Sequence, residues 1–131
     1  LAIVVATAGL AACEASLDLP TEPRGVAALV EGTWAEPVSF PGISFVMQLS
    51  ARDTVLSGTG TYSIEAGRSG TLSEAGFVAG QMVQLTITYD YGPVAYFQGT
   101  LTDRNTLSGA IKYGPPESEI PSVAVRFERR Q

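Results

Sequence analysis

Few side chains in this sequence are equipped for chemistry, and Cys13 has the most telling position. It is the only cysteine, so an internal disulfide and a cysteine zinc cluster are both excluded. The sequence has no histidine, which removes the usual general base and the commonest metal ligand. Asp53 and Asp103 are the carboxylates best placed to act as a pair, yet both fall at expected turns, where Asp hydrogen-bonds its own backbone. Ser57 and Ser108 fall in strands with no base to activate them. Asp103 with Asn105 offers too few oxygens for calcium. No catalytic residue, metal ligand or cofactor is therefore assigned, and the chain is expected not to be an enzyme. An envelope hydrolase stands behind the other readings. The net charge of −5, with scattered arginines and one lysine, Lys112, excludes a nucleic-acid partner. Tyr91 and Tyr96 flank a turn in the run Tyr89-Asp90-Tyr91-Gly92-Pro93 and are expected to be partly exposed. Exposed tyrosines favour binding surfaces, and a packed hairpin end is the alternative. The acidic, proline-rich stretch from Pro115 to Pro121 is either a recognition loop or a solvated one.

Cys13 follows an uncharged apolar run, Leu1 to Ala12. A membrane-spanning helix needs ~20 apolar residues, whereas the apolar core of a signal peptide needs ~7–15. The stretch Leu10-Ala11-Ala12-Cys13 resembles the lipobox of bacterial lipoproteins. The resemblance implies that the Cys13 thiol takes a diacylglyceryl group and that the chain is cut just before it. Residues 1–12 are then a signal peptide, truncated because no basic leader precedes Leu1. The resulting partner is a membrane held through lipid on Cys13. The location is the cell envelope, at the outer membrane or the outer face of the inner membrane. The competing reading is an apolar N-terminal helix with a buried cysteine.

The segment from Glu14 to Gly25, with Pro20, Pro23 and Gly25, reads as a tether. Val26 to Val30 reads as a helical turn or the lead-in to a strand, so residues 13–29 form the expected linker and 30–131 the domain. A chain of 131 residues suits a single domain. From Glu31 onward the pattern has period two. Phe45, Met47 and Leu49 alternate with polar neighbours, as do Leu85, Ile87 and Tyr89, then Phe97 and Leu101, then Ile111 and Tyr113. Expected strands run from Glu31 to Glu36, near Ile43 to Ala51, Val55 to Glu65, Ser69 to Val78, and on through four more to Glu128; the fourth is the weakest pattern. Short turns between them imply antiparallel neighbours. The expected fold class is all-β: an eight-stranded antiparallel up-and-down meander closed into a small barrel, with a two-sheet β-sandwich as the alternative. Gly58, Gly60, Gly99 and Gly109 on the expected inner face permit sharp coiling.

Gly32-Thr33-Trp34 at the head of this meander resembles the opening strand of the calycins, the lipocalins and avidins, and Gly58-Thr59-Gly60-Thr61-Tyr62 is similar to the avidin pattern. The likeness implies a basic residue of the last strand, Arg126 or Arg129, over Trp34 at a closed end. It also implies a small apolar ligand in the cup. Trp34 is the only tryptophan, which argues against a biotin site. The ligand-lining candidates are Trp34, Phe45, Met47, Tyr62, Leu85, Ile87 and Phe97. The alternative is a structural or protein-interaction module of the envelope with a filled core, using Tyr91 and Tyr96 to contact an envelope protein.

Overall fold

The computed structural model describes residues 19–36, 43–64, 67–114 and 121–130. Cys13, the Pro41-Gly42 turn and most of the Pro115–Pro121 stretch lie outside the described residues. One helix, α1 (Pro23–Val30), precedes eight strands: β1 (Gly32–Ala35), β2 (Ile43–Arg52), β3 (Val55–Ile64), β4 (Ser69–Ala79), β5 (Met82–Tyr89), β6 (Val94–Asp103), β7 (Thr106–Tyr113) and β8 (Val123–Arg129). Each strand pairs with the next, and β1 pairs with β8, so the sheet closes into an antiparallel barrel in sequence order. Closure hides the apolar face of every strand and leaves no unpaired edge. The barrel, rather than the sandwich, is the architecture.

The alternation read from the sequence is the one the strands use. Phe45, Met47, Leu49, Leu56, Tyr62, Val83, Leu85, Ile87, Tyr89, Ala95, Phe97, Leu107, Ile111, Val125 and Phe127 are buried in one core. The strong curvature needs backbone contact without side chains. Gly99 and Gly109 oppose each other across β6 and β7. A Cβ on Gly109 would stand 2.1 Å from the Gln98 carbonyl oxygen, so only glycine fits there.

α1 begins with Pro23 in its first turn, where the missing N–H is no loss. Val26, Ala27 and Val30 form its apolar face and are buried on the barrel. The helix thus belongs to the fold, although Pro23 and Gly25 were expected within the tether. It ends at Glu31 in an extended conformation, followed by Gly32 at φ 135°. Two hairpins, β2–β3 and β4–β5, meet α1 and its flanking residues at this end. Gln81 donates to the Pro20 carbonyl at 3.3 Å, the Glu31 carboxylate accepts from the Ala51 amide at 3.2 Å, and Arg24 pairs with Asp53 at 3.4 Å. The last pair is solvent-exposed and adds little stability.

Arg129, not Arg126, is the basic residue over Trp34. Its guanidinium sits 4.4 Å from the ring centroid. It also donates to the carbonyls of Glu31 at 2.9 Å, Arg104 at 3.1 Å, and Leu29. The Trp34 indole N–H donates to the Val30 carbonyl at 2.7 Å. Gly32 makes room for this arrangement, because a Cβ there would lie 2.6 Å from the Arg129 guanidinium. Arg126 instead points outward and pairs with Glu128 at 3.2 Å. One end of the barrel is thereby sealed by helix, indole and guanidinium.

Candidate functional site

The opposite end is built from tyrosines. β5 ends at Tyr89, and the chain turns back through Asp90, Tyr91, Gly92 and Pro93. Gly92 sits at φ 116°, which suits the turn, and the Tyr89 amide donates to the Pro93 carbonyl at 2.9 Å. Asp90 ties this hairpin to its neighbours. Its carboxylate accepts the Tyr62 hydroxyl at 2.8 Å and the Thr71 amide at 3.1 Å. These two donors, the Thr71 amide foremost, hold the Asp90 pKa below its usual value. Burial, reinforced by the Asp90 carboxylate, pushes Tyr62 up to about 12. Tyr89 and Tyr113 share a hydrogen bond at 2.8 Å between hydroxyls. Burial raises both pKa values, so these phenols stay neutral at any physiological pH.

The rings stack into a lid over the core. Tyr62 meets Tyr89 edge-on at 4.9 Å between centroids, and Tyr91 lies 5.9 Å from Tyr62 and 5.7 Å from Tyr89. Tyr91 is 47% exposed, and the Arg68 guanidinium covers its ring at 4.5 Å. Below, Phe45 touches Tyr89 at 6.0 Å and Phe127 at 6.2 Å. Phe97 meets Phe127 at 5.4 Å. Aromatic pairs at such distances are attractive beyond their buried area.

All seven ligand-lining candidates, Trp34, Phe45, Met47, Tyr62, Leu85, Ile87 and Phe97, face inward and are at most 3% exposed. They are not at one level. Trp34 belongs to the sealed end, Tyr62 to the tyrosine end, and the others lie between. Tyr91 and Tyr96 are not brought together. Tyr91 folds over the barrel end, whereas Tyr96 stands outside, paired in register with Thr86 and Lys112. It borders an outer groove of about 620 Å³ shared with Phe77, Met82 and Gln84. Asp53, at φ 57°, and Asp103, which accepts from the Asn105 amide at 2.7 Å, serve their turns. Among the described residues no three acidic, cysteine or histidine side chains gather to hold a metal.

Sequence reasoning missed Glu74. It lies in β4, on the inner face, directly between Gly58 of β3 and Ile87 of β5. It is 3% exposed, and both carboxylate oxygens are buried without a hydrogen-bond partner. Burial pushes its pKa up to about 7. Leu72 and Val78 were the available signal, since period two from either places Glu74 inside. It also passed over Arg68 and the bridging role of Asp90.

The geometry defines a small closed up-and-down β-barrel, with one sealed end and one tyrosine end. The sequence matches no protein-family model and no curated protein. Three solved structures share a similar fold. EF1p2_mFAP2b, solved bound to DFHBI, has 17% identity and a TM-score of 0.66, and the match covers 82% of this chain and 98% of that one. The redesigned β-barrel b11L5F_LGL has 17% identity and a TM-score of 0.66, over 81% of this chain and 96% of that one. The redesigned β-barrel mFAP1, bound to DFHBI, has 18% identity and a TM-score of 0.62, over 79% and 98%. At this identity the likeness establishes the fold.

Proposed function

We propose that the protein is a non-catalytic binding barrel that takes a small apolar ligand through its tyrosine end. The carrying observation is the contrast between the two ends. Helix, indole and a triply bonded guanidinium close one, while among the described residues tyrosine side chains cover the other, with Tyr91 nearly half exposed. A barrel of eight strands has an interior just wide enough for side chains or one small ligand. Rotating Tyr91 away uncovers Tyr62 and Tyr89, whose rings and neutral hydroxyls line the mouth. That two barrels of the same fold were solved with DFHBI bound supports the reading.

The lipobox-like segment ending at Cys13 supports a cell-envelope location, with the barrel tethered to a membrane by lipid on that residue. Native mass spectrometry of protein purified from its host tests the ligand. A bound small molecule released by organic solvent is the expected result. Tyr91→Ala should accelerate uptake of a hydrophobic dye several-fold. A barrel that is always empty, and excludes such dyes with or without Tyr91, overturns the proposal. That outcome favours the second reading, a filled-core interaction module, which the near-complete burial of the inner residues supports. Crosslinking in intact cells should then recover one partner, lost on replacing Tyr91 and Tyr96 by Ala.

A further inference from the structure

Resting on the ligand-binding reading above, we infer that Glu74 is the polar anchor of the site and that the ligand is a small apolar molecule carrying a protonated amine. A buried carboxylate without a donor is costly, and natural interiors satisfy nearly all such groups. Both Glu74 oxygens are buried and unbonded. An ionised carboxylate only accepts hydrogen bonds, so what completes it must donate. The buried charged residues among those described are Glu36 and Glu74, with no Lys or Arg. Once ionised, Glu74 therefore offers a negative charge that no buried Lys or Arg meets.

Position supports the same assignment. Tyr89 of the lid is opposite Leu72, and Glu74 lies two residues further from the rim along β4. At ~3.3 Å per residue this places the carboxylate about 7 Å beneath the tyrosines. Gly58 faces Glu74, and Gly60 faces Leu72, so β3 adds no side chain to the inner wall at these two levels. Tyr62, Tyr89 and Phe45 pack against one another, at 4.9 Å and 6.0 Å between centroids, so a flat ring enters by swinging these side chains aside and then directs a one-carbon ammonium arm down to Glu74. An ammonium–carboxylate hydrogen bond is among the strong ones, and it is strengthened where water is excluded.

The test uses three probes of one skeleton at pH 8, with affinities measured by titration calorimetry: 1-naphthylmethylamine, 1-naphthylmethanol and 1-naphthoate. The full chain should bind the amine at least tenfold more tightly than the alcohol, and the carboxylate most weakly. In Glu74→Gln the amine should lose this advantage over the alcohol. Shifts of the Leu72 and Ile87 methyl signals place the probe inside. If amine and alcohol bind alike, or the preference survives in Glu74→Gln, the anchor is overturned and the cup stands. If none of the probes enters, the cup itself fails, and the anchor with it. A readout without substitution keeps the inference exposed. The Glu74 carboxyl carbon, followed by NMR, should titrate at lower pH with the amine bound and be unmoved by the alcohol; no change with the amine also overturns it.

Discussion

Arg129 and Glu74 both carry charge into places that water does not reach freely, and they resolve the problem in opposite ways. Arg129 is surrounded by acceptors: three carbonyl oxygens and the face of Trp34. Burial lowers its pKa somewhat, yet an arginine so placed stays charged. Arg129→Ala removes the cation–π contact and leaves the carbonyls to find other donors, which should destabilise the fold by roughly 2–4 kcal/mol. Arg129→Lys should recover less than half of that, because an ammonium lacks the planar fork. Urea unfolding followed by Trp34 fluorescence measures both. Glu74 has no such surroundings. Among the described residues the other titratable side chains facing the interior are Glu36, Tyr62, Tyr89 and Tyr113, and the ion pair of α1, Arg24 with Asp53, is exposed. Desolvation alone raises the folded pKa to about 7 from 4.5. The folded state then holds a proton that the unfolded state has released between these two values, so stability falls as pH rises from 4.5 to 7 and levels off above. The loss is on the order of 1–3 kcal/mol. Glu74→Gln should flatten this slope and be the more stable protein at pH 8. A slope of the same size in the variant would assign the pH dependence elsewhere.

At the scale of elements, the strands depend on the barrel and α1 depends on three contacts. Val26, Ala27 and Val30 are buried, while the rest of the helix faces water or the turns. Eight residues are too few for a stable isolated helix, so packing decides its existence. Val26→Asp should undock it. Hydrogen exchange would then show the amides of 23–30 losing protection while β3 to β7 keep theirs. Loss of protection throughout would mean that the plug is required for closure. The difference between helix and strands also explains what was readable in advance. Period two repeats over four to eleven residues in each strand and gives the faces directly, as in Val83, Leu85, Ile87 and Tyr89. α1 offers one apolar face of three residues behind Pro20, Pro23 and Gly25, which are turn signals in isolation. Pro23 is harmless there only because it begins the helix, which local pattern does not reveal. The site divides in the same way. That Tyr62 faces inward follows from alternation, but its pairing with Asp90, 28 positions away, depends on register across β3, β4 and β5. Glu74 was hidden by a residue-type habit: a carboxylate in a weakly patterned strand reads as solvent-facing until the strand's face is known.

Taken whole, the molecule is polar along the barrel axis. α1 and the turns at Asp53, Gly80 and Arg104 gather at one end; the tyrosine lid occupies the other. The chain enters at the sealed end, where the Pro20 carbonyl meets Gln81. From Cys13 to Leu19 an extended chain reaches at most ~20 Å, at about 3.3–3.6 Å per residue. Lipid on Cys13 would thus hold the sealed end toward the bilayer and leave the tyrosine mouth facing away, open to ligand from solution. Anchoring and folding should be separable in this arrangement, because barrel closure and the core are built from contacts among residues 19–130. Cys13→Ser should therefore move the protein from the detergent phase to the aqueous phase on phase partitioning, with the thioether lipid gone by intact mass. Its melting temperature should stay within about 1–2 °C of the parent, since a change of 1 kcal/mol shifts a domain of this size by several degrees. A variant that stays with the membranes overturns the anchor. A variant that melts markedly lower would place Cys13 inside the folded structure, as the buried-cysteine reading requires.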